Sequence, residues 1–410
     1  GQRSPGGGPR RRRGRLPVIS VVGIGADGWA GLNEPARRAV LHAETIVGSE
    51  RQLALIPDGR ALRRTWPSPI DPLVDELADD GVGSVCVLAS GDPMLYGIGA
   101  TLARRLDPGR LRVHPHPSAF ALACARLGWP EAEVELVSAV GRPLAAVARL
   151  LQPGRRIVVY LAGARGAREL AVLLRDRGFG PSRFVVLEQL GGERERVLPA
   201  TAATWNGRDA DPLHAVAIEC RPDAEALVLG RHPGLPELAY EHDGQITKWP
   251  VRAVTLAALR PLPGQLLWDV GAGSGSVAIE WLRSEPTARA IAVERDPVRA
   301  ERIAVNTERL GVPELEVVVG SAPQALAGLD RPDAVFVGGG LSAPGVLEAC
   351  ADTGARVVAN AVTLEGEQAV REARKRFGGS VMRLEVSHAE PLGGLEAWRA
   401  QLPIVQWCLR

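Results

Sequence analysis

Aromatic side chains make up only 4% of the 410 residues, too few to supply the stacking platforms on which single-stranded RNA is read. Cysteine is sparse as well. Cys86, Cys124, Cys220, Cys350 and Cys408 are odd in number and form no Cys-x-x-Cys pair, which excludes a disulfide framework and a thiolate zinc site and predicts reduced cysteines in cores. His114 and His116 flank Pro115 with no carboxylate or thiol nearby in sequence, so they read as loop residues, and no metal is expected. No segment approaches the roughly 18 uninterrupted apolar residues of a membrane-spanning helix, and the opening lacks the apolar centre of a signal peptide. The expectation is a cytoplasmic chain with no membrane partner. Acids are missing from Gly1 to Arg15, where Arg3, Arg10 to Arg13 and Arg15 supply six positive charges. Taking those six from the net charge of +2 leaves the remainder at −4. Residues 1–16 therefore read as a solvated, disordered tail. The mildly acidic body lacks the clustered basic surface of a phosphate-binding face, so no nucleic-acid partner is expected.

What is present is the material of globular cores, with 46% hydrophobic and 23% charged residues, in a chain too long for one core. Two domains are expected. Across 17–220, apolar runs at Val18–Val22, Ser84–Ala89, Leu111–His114, Glu133–Val137, Arg156–Leu161, Arg183–Leu187 and Leu213–Glu219 read as strands. Between them, Glu34–Ala43, Gly97–Leu106, Ser118–Leu127, Pro143–Leu151 and Ala164–Arg177 carry helical periodicity, an α/β pattern that predicts a largely parallel sheet. Residues 221–244, with three prolines and three glycines and no sustained period, read as a linker. A second α/β unit fills 245–410: a helix at Val251–Leu259, then strands at Leu266–Val270, Ala290–Val293, Leu315–Val319, Ala334–Val337 and Arg356–Ala359. Ser380–Ser387 and Pro403–Cys408, joined by a Gly-rich loop, predict an antiparallel pair closing the sheet edge.

The sharpest local signal is Asp269-Val-Gly-Ala-Gly-Ser-Gly275, directly after a predicted strand and before a helical stretch. Gly271, Gly273 and Gly275 let the backbone turn tightly and approach a ligand, and Ala272 and Ser274 lie between them, ahead of a helix N-terminus that favours a carboxylate. Glu294 ends the next strand, 25 residues beyond Asp269, where a carboxylate can accept both hydroxyls of a ribose. The spacing is Gly-x-Gly-x-Gly rather than the dinucleotide Gly-x-Gly-x-x-Gly, which favours S-adenosyl-L-methionine over a nicotinamide cofactor. The pattern resembles the Rossmann-like class of methyltransferases. That resemblance implies that Asp269 lies near the methionine moiety, that Glu294 holds the ribose, and that Ser321 and Ala322 border the adenine.

The first domain opens on Val21-Val-Gly-Ile-Gly-Ala-Asp-Gly28, continues with Ser90-Gly-Asp-Pro-Met94 after a strand, and reaches Pro117-Ser-Ala119 before a helix. Each alone is an ordinary turn. Together and in this order they resemble the tetrapyrrole methylase family, whose cofactor lies folded in a cleft between two α/β lobes. Carried over, Gly23 and Gly25 shape the cleft floor, Gly91, Asp92 and Met94 meet the cofactor, and Ser118 and Ala119 approach it. Leu187-Glu-Gln-Leu-Gly-Gly-Glu193 fits the branch acting on corrin intermediates, although Asn often replaces Gln189 there.

Module order and Asp243-Gly-Gln-Ile-Thr-Lys248 together resemble the family of two-module, decarboxylating corrin methyltransferases of aerobic cobalamin synthesis, over nearly everything after the tail. The resemblance implies one S-adenosyl-L-methionine per domain, a tetrapyrrole substrate, methylation at C5 by the first module, and C15 methylation with loss of an acetate carboxylate as CO2 by the second. It further implies a homo-oligomer and Thr247 as a cofactor contact. Ala389-Glu-Pro-Leu-Gly-Gly394 is either the substrate opening or a plain hairpin loop. No nucleophile or acid–base pair is conspicuous, which suits a reaction whose methyl donor is already activated and whose protein mainly orients the reactants. A polycarboxylate substrate calls for arginines at the clefts, with Arg142 and Arg252 as candidates. The competing reading is a C-terminal module that methylates RNA or another substrate, since fold does not fix substrate.

Overall fold

The computed structural model describes residues 18–79, 83–205 and 207–410. The tail expected over 1–16 lies outside the described residues. The first lobe is built on β1 (Ile19–Ile24), β2 (Thr45–Gly48), β3 (Leu62–Thr65), β4 (Val85–Ser90) and β5 (Leu111–His114), in the order β3-β2-β4-β1-β5. All its pairings are parallel. Alternate residues of a strand point to opposite faces, and both faces here are covered. Val21, Val85, Val87 and Ala89 pack against the helices Asp71–Ala78 and Ile98–Arg105, while Val22, Ile24, Cys86 and Leu88 pack on the other side with Ala36 and Val40 of the helix Glu34–Leu41. Burial on both sides explains why these strands are apolar runs rather than alternating ones.

The same apolar signature misleads in the second lobe. Its sheet, β6 (Val134–Ser138), β7 (Arg156–Tyr160), β8 (Arg183–Glu188), β9 (Arg196–Thr201) and β10 (His214–Glu219), has the order β6-β7-β10-β8-β9. Only β6 and β7 pair in parallel, and the other three pairings are antiparallel. This corrects the expected largely parallel sheet. Covering by Gly166–Asp176 on one face and Ala119–Leu127 on the other buries antiparallel strands on both sides, and burial rather than strand direction sets the sequence pattern. The helix expected at Pro143–Leu151 is a 3-10 helix over Leu144–Leu150.

The C-terminal module carries β11 (Leu266–Val270), β12 (Arg289–Glu294), β13 (Glu316–Val319), β14 (Ala334–Val337), β15 (Arg356–Ala361) and β16 (Ser380–Leu384). A hairpin follows, β17 (Ser387–Leu392) and β18 (Leu395–Ala400), turning at Gly393 and Gly394 with φ of 53° and 85°, and the chain ends in β19 (Ile404–Leu409). The order β13-β12-β11-β14-β15-β19-β16 places the switch in winding direction between β11 and β14. Ligands of open α/β sheets bind outside the strand ends at such a switch. β16 and β19 pair antiparallel as expected, but β19 lies inside the sheet between β15 and β16, and the supposed loop joining them is mostly the hairpin.

Residues 221–244 are not a free tether throughout. Leu235, Ala239 and Tyr240 are buried in the core with Leu256 and Trp281 of the C-terminal module. The modules also touch directly. Arg149 pairs with Glu314 at 2.6 Å, and Arg177 donates to the carbonyls of Glu308 and Arg309. Among the described residues no helix is long and apolar enough to cross a membrane.

Candidate active sites

A cavity of about 540 Å³ opens between the two lobes of the N-terminal module, within the size range of small-molecule sites. Its floor is the end of β1. A Cβ on Gly23 would collide with the carbonyl of Gly91, and one on Gly25 would sit 2.6 Å from both Asp27 Oδ1 and His116 Cε1. Gly91, whose N–H donates to the Ile24 carbonyl at 3.1 Å, turns at φ 57°, a conformation costly for any residue with a Cβ. Asp92 Oδ1 accepts the Met94 N–H at 2.8 Å, closing the next turn. Gly25, Gly91, Asp92, Ser118 and Ala119 all line the cavity. Met94 does not. It is 47% exposed, and Leu95, Tyr96 and Gly97 line the wall instead.

The second lobe supplies the facing wall. Tyr160 at the end of β7 accepts the Phe120 N–H at 2.8 Å, which fixes the start of the helix behind Ser118, and burial pushes its hydroxyl up to about 12. Tyr96 reaches across from the first lobe. It holds φ at 55°, donates its hydroxyl to the Leu136 carbonyl at 3.3 Å, and meets Tyr160 edge-on with ring centroids 6.5 Å apart. A left-handed aromatic residue is strained and persists where its surroundings hold it. The Arg142 guanidinium lies 5.0 Å from the Tyr96 ring centroid, against a lining residue although Arg142 does not itself line the cavity. His214 lines the cavity. Burial lowers its pKa, its Nδ1 donates to the Asp211 carbonyl at 2.7 Å, and its buried Nε2 has no protein partner. Gln189 also adopts φ 51° and donates to Asp211 Oδ1 at 2.7 Å, bracing the loop into β10. Asn tolerates that backbone better than Gln.

His116 is the residue sequence reasoning missed. Its Nε2 lies 3.2 Å from Asp27 Oδ2, its ring fills the space beneath Gly25, and its Cβ and backbone nitrogen fill that beneath Gly23. The only signal was the absence of side chains at those two glycines.

In the C-terminal module the loop after β11 occupies the switch point. Gly271, Gly273 and Gly275 hold φ of 68°, 59° and 73°, and a Cβ on Gly271 would lie 2.8 Å from the Gly339 backbone. Asp269 is 1% exposed and accepts the Ala278 N–H at 3.0 Å, tying β11 to the first turn of the helix Ser276–Ser284. Burial raises its carboxyl to about 7, the Ala278 bond opposing and the Glu294 charge adding to the rise. Asp269 Oδ1 and Ser274 Oγ are buried without a protein partner. Glu294 ends β12 and accepts the N–H groups of Gly273 at 2.7 Å and Asp296 at 3.0 Å. Ser321 and Ala322 follow β13 beside it, where Gly320 donates to the Glu294 carbonyl at 2.9 Å. Gln245 faces Gly273, and Thr247 offers its carbonyl to Arg252.

Arg252 requires a correction. It is fully buried, its Nε 2.6 Å from Glu280 Oε1, with further bonds to the Thr247 and Leu235 carbonyls and its guanidinium over the Tyr240 ring. Every face is occupied within the core, so it has nothing left for a substrate carboxylate. The carboxylate it meets is not a substrate's but that of Glu280, 28 residues further along the chain. Ala389 to Gly394 forms one arm and the turn of the exposed hairpin.

Comparison with known proteins follows the same division. A family model described as tetrapyrrole (corrin/porphyrin) methylases matches residues 18–205, and one described as a precorrin methyltransferase domain matches 238–410. A decarboxylating precorrin-6Y C(5,15)-methyltransferase from a Sinorhizobium species is 45% identical over 397 residues, covering 95% of this chain and 96% of that relative. Two separate Salmonella typhimurium proteins each match part of the chain. Cobalt-precorrin-7 C(5)-methyltransferase is 33% identical over 187 residues, 45% of this chain and 92% of its own length. Cobalt-precorrin-6B C(15)-methyltransferase (decarboxylating) is 30% identical over 169 residues, 39% of this chain and 85% of its own.

Proposed function

Because the chain belongs to the family of decarboxylating precorrin-6Y C(5,15)-methyltransferases, we propose that it methylates precorrin-6Y at C5 and C15 and removes CO2 from an acetate side chain, giving precorrin-8X. The observation that carries the reading is two glycine-cleared loops, one after β1 beside the interlobe cavity and one after β11, in one chain that aligns over 95% of its length with such an enzyme. We assign one methylation to each module. Residues 17–220 carry C5 methylation, and 245–410 carry C15 methylation and decarboxylation. The separate C5 and C15 relatives align over lengths close to one module each.

S-adenosyl-L-methionine supplies an electrophilic methyl group on a sulfonium, one molecule in each module. In the C-terminal module the partnerless Asp269 Oδ1 and Ser274 Oγ, and the glycine backbone cleared of Cβ atoms, fit a polar, cationic ligand. Glu294 sits where ribose hydroxyls would be accepted, Thr247 borders that loop, and Ser321 and Ala322 flank it. In the N-terminal module Gly23 and Gly25 clear the floor, Gly91, Asp92, Ser118 and Ala119 line the cofactor side, and Arg142, packed over Tyr96, would meet a substrate carboxylate. When bound, the sulfonium would supply its methyl group to a tetrapyrrole carbon, its sulfur taking the electron pair of the broken carbon–sulfur bond. The protein's task is to align that carbon and keep water out. Loss of CO2 leaves an electron pair that the conjugated macrocycle accepts.

We place the chain in the cytoplasm as a homo-oligomer. Leu392, Leu395 and Trp398, 66, 77 and 78% exposed on the hairpin, offer apolar surface for assembly. The test is incubation of the purified chain with S-adenosyl-L-methionine and precorrin-6Y. Mass spectrometry of the product should record two added methyl groups and one lost CO2, and native spectra of the same sample read the assembly. An unchanged tetrapyrrole in the presence of bound cofactor would overturn the corrin assignment.

A further inference from the structure

One arginine in the interlobe cleft pairs with no carboxylate among the described residues, although Asp92 lines the same cavity. Arg51 follows Ser49, whose hydroxyl accepts the Gln52 N–H at 3.3 Å while the Gln52 amide oxygen accepts the Ser49 N–H at 2.7 Å. This reciprocal cap fixes the turn that carries Arg51. The guanidinium is half-buried and lines the cavity. Its Nη2 donates to Ser90 Oγ at 2.8 Å, and Gln52 Nε2 donates to the same oxygen at 3.1 Å. With both bonds arriving at its oxygen, Ser90 keeps its own proton free to donate.

Other partly buried arginines of this chain behave differently. Arg149 meets Glu314 at 2.6 Å and Arg155 meets Glu135 at 2.5 Å, while Arg177, Arg283 and Arg356 each donate to two backbone carbonyls; Arg51 meets only a hydroxyl. Around Arg51, no Asp or Glu among the described residues stands within ion-pair distance. Burial alone acts on it, lowering its pKa with no anion to offset the effect. A guanidinium has five N–H donors, and taking it partly out of water without an anion is unfavourable unless a ligand supplies one.

We propose that Arg51 and the Ser90 hydroxyl form a carboxylate anchor in the cleft, completed by the ligand. The inference rests on the function proposed above, because precorrin-6Y carries carboxylate side chains and S-adenosyl-L-methionine carries one carboxylate. Both present the same chemistry, a planar anion that a guanidinium fork receives through two parallel bonds. Ser90 immediately precedes Gly91, so the anchor and the cofactor loop share one turn.

The test uses the full chain with Arg51→Gln and Arg51→Lys. Titrations of precorrin-6Y followed by its visible absorption, and calorimetry with S-adenosylhomocysteine, read the two candidate ligands without turnover. Loss of a charge-assisted bond predicts a roughly ten- to hundredfold weaker affinity in Arg51→Gln for one of them, partly restored in Arg51→Lys. Weakened precorrin-6Y binding with both S-adenosylhomocysteine sites unchanged assigns the anchor to the tetrapyrrole. Weakening at one S-adenosylhomocysteine site assigns it to the cofactor. Unchanged affinity for both ligands overturns the anchor. Because the titrations need no reaction, failure of the unsubstituted chain to methylate precorrin-6Y would fall on the proposed function alone. An unchanged thermal unfolding profile of Arg51→Gln, including the transition of the N-terminal module, separates a local loss from misfolding.

Discussion

Asp269 shows how one carboxyl couples a sheet, a helix and a ligand. Its carboxylate, buried at the end of β11, accepts the Ala278 N–H and no other hydrogen bond among the described residues, and burial raises its pKa from the ordinary 3.8 to about 7. A folded value above the unfolded one means that the native chain holds the proton more tightly. The resulting stability is fully present below about pH 4 and is lost as the pH rises to about 7. Ligand-free protein should therefore lose stability across that window, and Asp269→Asn, which keeps an acceptor for Ala278, should flatten the dependence. Urea unfolding midpoints measured from pH 4.5 to 7.5 provide the check, and parallel slopes for the two proteins would overturn the assignment. A cationic ligand beside Asp269 favours its ionised form, so cofactor binding to this module near pH 6 should release protons, visible as buffer-dependent heats.

At the scale of elements, the buried carboxylate of Glu280 gathers what the sequence presents as a linker. It accepts the N–H groups of Gly234 at 2.6 Å and Leu235 at 3.0 Å, the Tyr240 hydroxyl at 2.8 Å and Arg252 Nε at 2.6 Å. Arg252→Met would leave that carboxylate buried without its cation, and breaking such a pair costs about 3–5 kcal/mol. The expected result is a lower unfolding midpoint for the C-terminal module with unchanged precorrin-6Y affinity at low temperature; a selective affinity loss would restore Arg252 as a substrate residue. What could be read beforehand follows from locality. Glycine motifs are legible because each glycine answers a nearby backbone demand, and most predicted strands fall within two residues of those observed. The direction of β8 and β10, the partner of Arg252 and the isolation of Arg51 are set by residues distant in sequence. Periodicity is silent about them. The short β2 and β3 and the exposed β9 lack sustained apolar runs, while of the two readings of Ala389 to Gly394 the plain hairpin is the one that β17–β18 forms.

For the whole molecule the question is whether two docked modules act as one catalyst or two. The contact joins the 3-10 helix Leu144–Leu150 to the C-terminal end of the helix Pro297–Leu310, where Gly311 turns at φ 77° against Arg149 and Glu314 pairs with it. That helix begins just after Glu294, so its 14 residues set the docking surface about 21 Å from the proposed cofactor side. Docking at the far end can fix the modules together without transmitting the state of either loop, which favours independent sites. Gly273→Val, placing a branched side chain at φ 59°, should abolish C15 methylation and decarboxylation and reduce S-adenosylhomocysteine binding from two molecules per chain to one. Gly23→Ala, colliding with the Gly91 carbonyl, should remove only C5 methylation. Because one methylation can depend on the product of the other, the decisive experiment mixes the two variants. Independent modules predict that the mixture adds both methyl groups and releases CO2, with intermediate passing between chains through solution. A mixture that adds neither or only one, although each variant retains its own intact cofactor site, would mean that both reactions must occur within a single chain.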